Sequence, residues 1–181
     1  LIDAIKKSCD CYFYNLAKEI NIDELAEFSK KFSIGELTGI DIPDENYGLM
    51  PNSEWKIKNR NEKWQKGETL NTVIGQGFTL STPLQITLMT ARIASGKKLE
   101  PKIFKRNRYF FENLEISEKN LNFIRKSMYK VVNEYQGTAY SSKLNNKLKM
   151  AGKTGTSQVR KISKEERESG VLKNEELIYK L

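Results

Sequence analysis

The sequence reads as helices with a few extended segments, the mixture of an α+β domain. Four stretches, 1–20, 21–32, 81–95 and 117–132, place apolar residues three or four apart, the spacing of a helix with one buried face. Two others read as extended: residues 99–114, with Ile103, Phe104, Tyr109, Phe110 and Phe111 around a basic turn, and residues 150–159, a run of small or β-capable residues around Gly152 and Gly155. At 181 residues the chain is long enough for one domain with a sizeable core.

In the first stretch, Leu1, Ile2 and Ile5 precede Ser8-Cys9-Asp10, and Tyr12, Phe13, Leu16, Ala17 and Ile20 form an apolar stripe beyond it. The tripeptide falls at a helix junction. Ser8 or Asp10 suits a helix cap there, since both residue types accept from free backbone N–H groups; this is the reading that local sequence favours. Asn21 with Glu24 resembles a capping box for a helix bearing Leu25, Phe28 and Phe32, and Gly35 lies beyond its end. From Gly35 to Gly77 the sequence reads as irregular, with Trp55 and Trp64 as packing anchors and Gly75-Gln76-Gly77 as a tight turn. Ser81-Thr82-Pro83 opens a helix with a hydroxyl cap and a proline at its first position, and Gly96 ends it. Its apolar residues cover most of the circumference, which predicts a central, buried helix. Ser117 caps the last helix, where Ile116 can staple onto Leu121, and Gly137-Thr138-Ala139 follows its end. Residues 160–180 are highly charged and read as a loop or an exposed helix.

Charge is uneven along the chain. Residues 1–90 hold 10 Lys/Arg against 13 Asp/Glu, a net −3, and residues 91–181 hold 21 against 10, a net +11. The basic half intermixes acids with its cations and lacks any nucleic-acid-binding motif, so a solvated surface is the reading and nucleic acid is not an expected partner. Cys9 and Cys11 lie two apart and, with no histidine in the chain, cannot complete a metal site; they read as reduced, packed side chains. No run approaches the length of a membrane span. The first residue is Leu1 and the pattern begins and ends abruptly, which reads as a piece of a longer protein.

The chemistry concentrates at Gly152-Lys153-Thr154-Gly155-Thr156. On a strand, Thr154 and Thr156 would point to one face, with Lys153 adding a cation and Gly155 admitting close approach of another backbone. That combination suits an extended peptide bearing a carboxylate.

Taken together, Ser8-Cys9-Asp10 with Tyr12-Phe13-Tyr14, Gly75-Gln76-Gly77, Ser81-Thr82-Pro83-Leu84-Gln85 and Gly152-Lys153-Thr154-Gly155-Thr156-Ser157-Gln158 resemble a penicillin-binding transpeptidase of class B, elongation (rod-shape) type. The motifs of such enzymes are Ser-x-x-Lys, Ser-Asp-Asn (often Ser-x-Asp in this type) and Lys-Thr-Gly. The resemblance runs through nearly the whole chain. It implies an antiparallel sheet flanked by helices, incomplete in this piece, and a D,D-transpeptidase that cross-links peptidoglycan stem peptides through an acyl-serine. Position by position, Ser8 would shuttle a proton near the leaving nitrogen, Asp10 would orient the substrate amide, and Lys153 would supply positive charge to Ser8. Thr154 and Thr156 would hold the substrate carboxylate, with Gly155 between them and the Thr156 N–H as an oxyanion donor. The resemblance further implies D-Ala-D-Ala stem peptides and β-lactam antibiotics as ligands, a membrane glycosyltransferase and the elongation machinery as partners, and no cofactor or metal. It places the parent protein at the bacterial cytoplasmic membrane, with this domain on the outer face.

One motif is missing. The nucleophilic Ser-x-x-Lys is expected upstream of Leu1, so residues 1–181 read as a partial domain that starts after the nucleophile helix and stops soon after the Lys-Thr-Gly strand, inert by itself. Ser127-Met128-Tyr129-Lys130 fits the pattern but lies between the second and third motifs, in a buried helical stripe, and is read as a decoy. Rival readings are a serine β-lactamase on the same fold, which water would deacylate quickly, and a non-catalytic sensor that keeps the pocket without the nucleophile.

Overall fold

The computed structural model describes residues 1–104, 110–145 and 147–157. The expected basic turn at 105–109 and everything from Gln158 onward, including the charged 160–180 segment, lie outside them. Among the described residues, seven α-helices follow in order: α1 Ile2–Lys6, α2 Asp10–Ala17, α3 Ile22–Lys30, α4 Ser53–Arg60, α5 Lys66–Thr72, α6 Pro83–Ser95 and α7 Glu118–Asn133. A 3-10 turn, Tyr140–Ser142, comes after them.

The longest helix, α7, packs against both α1 and α6. Leu121, Val131 and Val132 are buried along it, as are Ala4 of α1 and Leu88 of α6. Ser117 accepts from Asn120 N–H at its start, as expected of the cap. α6 also begins as read, with the Thr82 hydroxyl as its cap, Pro83 in the first turn and Gly96 ending the helix at φ +71°; the structure adds Gln85, which completes a capping box with Thr82. Its burial corrects the expectation. Ile86 and Ala94 are exposed, and the buried line runs through Gln85, Leu88 and Arg92. The two polar members are there for their hydrogen bonds. Arg92 donates to the carbonyls of Leu99 and Lys31 at 2.8–3.1 Å, fastening the end of α6 to the end of α3. Gln85 donates to the carbonyls of Glu36 and Tyr47 at 2.8 and 2.9 Å, holding the long loop against the start of α6.

Two short helices, α4 and α5, interrupt the stretch read as irregular. They lack an apolar stripe and are held by polar groups: Asn52 caps α4, and Gln65 with Glu68 forms a capping box on α5. Lys56 of α4 bridges Glu62 and Glu68 at 2.9 and 2.6 Å. Trp55 stacks on Phe78 with centroids 5.1 Å apart, and Trp64 donates to Thr69, so both are packing anchors. Gly75 and Gly77, both near φ +76°, make the tight turn.

Among the described residues no strand forms. Pairing is limited to two antiparallel bridges, Leu49 with Leu80 and Lys97 with Asn113. The second brings the end of the 99–114 region back beside Gly96–Lys98, the residues just before it, with Lys98 N–H on Glu112 O and Leu114 N–H on Gly96 O. Residues 150–157 have no partner strand among the described residues, and a ladder needs one.

Candidate active site

Three segments converge at the end of α7. The first is the α1–α2 junction. Ser8 sits there at φ +50°, a left-handed conformation that costs an L residue on the order of 1–3 kcal/mol. It breaks the two helices apart. The Cys9 N–H closes α1 on Ala4 O at 2.9 Å, and Cys9 takes the cap position of α2 with no side-chain cap bond. Neither Ser8 nor Asp10 is the cap that local sequence favoured; Asp10 is the first helical residue. Both cysteines are free and exposed, not packed.

The second segment is Gly137-Thr138-Ala139. Gly137 lies against the carbonyls of Lys130 and Val131, where a side chain has no room. The Ala139 N–H bonds Val131 O at 3.1 Å, and the Thr138 N–H bonds Lys6 O at 3.1 Å, two residues before Ser8. Below it, Glu134 pairs with Lys130 at 2.6 Å and with Lys6 at 3.5 Å.

The third segment carries Lys-Thr-Gly. Asn133 of α7 donates to Met150 O at 2.7 Å, and the Gly152 N–H bonds Met128 O at 3.2 Å. These bonds set Lys153 and Thr154 beside Ser8. The Lys153 ammonium donates to Ser8 Oγ and, at 2.9 Å, to its neighbour's carbonyl, Thr154 O. Thr154 Oγ1 lies 2.8 Å from Thr138 Oγ1 and 3.4 Å from Ser8 Oγ, and Thr138 Oγ1 lies 3.5 Å from Ser8 Oγ. Three hydroxyls and one ammonium therefore share a small polar cluster drawn from positions up to 146 apart in sequence.

Burial lowers the proton affinity of Lys153 below the ordinary lysine range, while the carboxylate of Asp10 works against that shift. Asp10 acts on the cluster as a charge and makes no hydrogen bond to it. Gly155 and Thr156 are exposed beyond it. The predicted residues Ser8, Lys153 and Thr154 are thus brought into contact, with Asp10 nearby. Thr138 was missed, and its only sequence signal was a Gly-Thr pair after a helix.

The decoy is explained by the same helix. Ser127 is fully buried and donates back to Phe123 O at 2.8 Å, while Lys130 turns to Glu134. Among the described residues no three His, Cys, Asp or Glu side chains gather to hold a metal ion, and no helix is long and apolar enough to cross a membrane.

Residues 1–172 match the penicillin binding protein transpeptidase domain. The chain belongs to that family. It is 36% identical over 176 residues to the peptidoglycan D,D-transpeptidase MrdA of Acinetobacter baumannii, an alignment covering 91% of this chain and 26% of that protein. Its fold is similar to that of the Helicobacter pylori penicillin-binding protein PBP2 in complex with MreC, with a TM-score of 0.83 and 42% identity over 88% of this chain and 30% of the other. It is also similar to Pseudomonas aeruginosa PBP2 in complex with WCK 5153, with a TM-score of 0.79 and 34% identity over 87% and 38% of the two chains. The described residues therefore have the penicillin-binding transpeptidase fold. The chain spans about a quarter of the length of the curated relative it matches.

Proposed function

We propose that this chain forms part of a peptidoglycan D,D-transpeptidase that works through an acyl-serine and is acylated by β-lactams. The observation that carries the reading is the hydrogen bond from Lys153 Nζ to Ser8 Oγ, which joins the second and third family motifs across 145 positions. On this proposal residues 1–181 are a partial transpeptidase domain, and the acylated serine belongs to a Ser-x-x-Lys motif outside them.

In the proposed reaction, the upstream serine attacks the carbonyl of the penultimate D-alanine. A C–O bond forms, the C–N bond breaks, and the leaving D-alanine amine takes a proton relayed through Ser8. An amine from a second stem peptide then attacks the ester, forming the cross-link and returning the proton to the serine. Lys153 holds Ser8 in place and adds positive charge where the substrate carboxylate arrives. Asp10 orients the substrate amide, and Thr154 and Thr156 hold the carboxylate with Gly155 giving clearance. The Thr156 N–H is one oxyanion donor, a contribution whose removal typically costs about 2.7–4 kcal/mol of transition-state stabilisation.

The parent protein is placed at the cytoplasmic membrane with this domain on its outer face. Its partners are proposed to be elongation components and a membrane glycosyltransferase, as the relatives' complex with MreC and a peptidoglycan synthase complex suggest.

The test is the intact mass of this chain, and of a version extended upstream, after incubation with a fluorescent penicillin. One adduct on the extended chain alone is the expected result. Acylation of the short chain would make Ser8 or Ser127 the nucleophile and overturn the roles assigned above. No adduct on a folded extended chain would favour a non-catalytic sensor.

A further inference from the structure

Of the three hydroxyls in the cluster, only one pair is at full hydrogen-bond distance. Thr138 Oγ1 and Thr154 Oγ1 are 2.8 Å apart, whereas both approaches to Ser8 Oγ, at 3.4 and 3.5 Å, are long for bonds between hydroxyls. Ser8 Oγ already accepts from the Lys153 ammonium. Each hydroxyl has one hydrogen to give. If Thr154 spent its hydrogen on Thr138, it would face an arriving carboxylate with lone pairs only, which repel an anion. If Thr138 donates instead, Thr154 keeps its hydrogen for the carboxylate. Thr138 is free to do so, because its N–H is fixed on Lys6 O and its side chain is exposed rather than packed into the core.

We propose that Thr138 is a positioning residue of this site: its hydroxyl donates to Thr154 Oγ1, turning the Thr154 hydrogen toward the substrate carboxylate and keeping Ser8's own hydrogen free for proton transfer. This rests on the transpeptidase reading above and extends it to a residue outside the three motifs. Thr138 touches the substrate in neither step; it acts through Thr154. Its backbone placement supports a dedicated role. The Thr138 N–H is tied to the last residue of α1 and the Ala139 N–H to α7, so the hydroxyl is fixed relative to both motifs it bridges.

The test compares Thr138→Ser and Thr138→Ala in the upstream-extended protein, two variants that differ by one oxygen. Stopped-flow acylation by a fluorescent penicillin separates the pre-acylation binding constant from the acylation rate. Thr138→Ser is expected to stay within about twofold of wild type in both constants. Thr138→Ala is expected to lose about five- to tenfold, the scale of one hydrogen bond, with the melting temperature unchanged. Because a bound carboxylate is present in both ground and transition states, the part of the loss that acts through Thr154 should fall on binding and shrink for a ligand that lacks the carboxylate, while the part that acts through Ser8's hydrogen should fall on the rate. Equal binding and rate constants for the serine and alanine variants would overturn the proposal, as would an equal loss of binding with the carboxylate-free ligand. If alanine unfolds the loop, Thr138→Val provides the hydroxyl-free comparison under the same criteria. A wild-type protein that takes no adduct would instead refute the transpeptidase reading, so the two failures are distinguishable.

Discussion

Gly137 is where the fold most directly limits the site, and Gly137→Ala tests that link. A Cβ at this position would stand 2.7 Å from the Lys130 carbonyl oxygen, and closer still to that of Val131, against ordinary contact at 3.4 Å. The loop must therefore shift by about 0.7 Å to clear the Lys130 oxygen and by more to clear that of Val131, since both neighbours are backbone atoms in the last turns of α7 and cannot rotate away. The shift acts on two hydrogen bonds of 3.1 Å, Ala139 N–H to Val131 O and Thr138 N–H to Lys6 O. At about 1 kcal/mol for each, plus residual overlap, the expected destabilisation is roughly 2–4 kcal/mol. The consequence for function is larger than for stability, because a misplacement near 1 Å can cost about a hundredfold in rate. Denaturant unfolding and stopped-flow penicillin acylation of the upstream-extended variant measure the two effects. Wild-type acylation in the alanine variant would refute the idea that this close approach positions Thr138 and, through it, Thr154.

Two further predictions concern Ser8 and Lys153. Ser8→Gly relieves the strain of φ +50° while removing the hydroxyl, so the melting temperature should hold or rise while acylation falls about a hundredfold or more; a destabilised variant would mean the strain is absent. For Lys153, burial depresses the folded-state proton affinity, so the unfolded chain binds the proton more tightly and stability contributed by this group rises with pH between the folded and unfolded values. If acylation uses the Lys153 cation as proposed, it should fall on the alkaline side earlier than an ordinary lysine would allow. Asp10→Asn removes the charge that opposes the shift, so the alkaline limb should move to lower pH while the rate on the plateau stays within about tenfold. A limb that stays put, or a plateau loss of a hundredfold, would contradict the role given to Asp10.

Helix ends were the most legible features of the sequence. Thr82-Pro83 and Gly96, Ser117, and Asn21 all mark helix boundaries through local backbone chemistry that needs no distant partner. Where stability comes from elsewhere in the chain, local reading failed. The short helices α4 and α5 have no apolar stripe and are held by caps and by Lys56 with its two glutamates, so periodicity could not reveal them. The apolar look of α6 overstated its burial, because Gln85 and Arg92 take its innermost positions to satisfy loop carbonyls. Ser8 shows the limit most clearly. As a local residue it is a good cap, and only a lysine 145 positions away makes it part of a site. The resemblance to a known family recovered that pairing. Thr138 escaped both approaches, since it lies outside the family's three motifs and its one local signal, a Gly-Thr pair after a helix, points to no site.

The convergence of the three segments on α7 bears on how the cluster is held together. Each anchor ends on that helix or on α1, which packs against it: Gly152 on Met128 O, Ala139 on Val131 O, Thr138 on Lys6 O, and Met150 on the Asn133 side chain. Three of the four bonds use backbone donors and acceptors, which any side-chain substitution short of proline or a steric clash leaves in place. A sixteen-residue helix with Leu121, Val131 and Val132 buried is a stiff reference frame. Its packing offsets the entropy of fixing three otherwise independent loops during folding, rather than leaving that cost to ligand binding. The chemical groups can then meet an incoming carboxylate already within hydrogen-bond reach of one another, which is where positioned electrostatic groups act with least reorganisation. On this view the most damaging substitutions away from the motifs are those that move backbone at the end of α7, and Gly137 is the first of them.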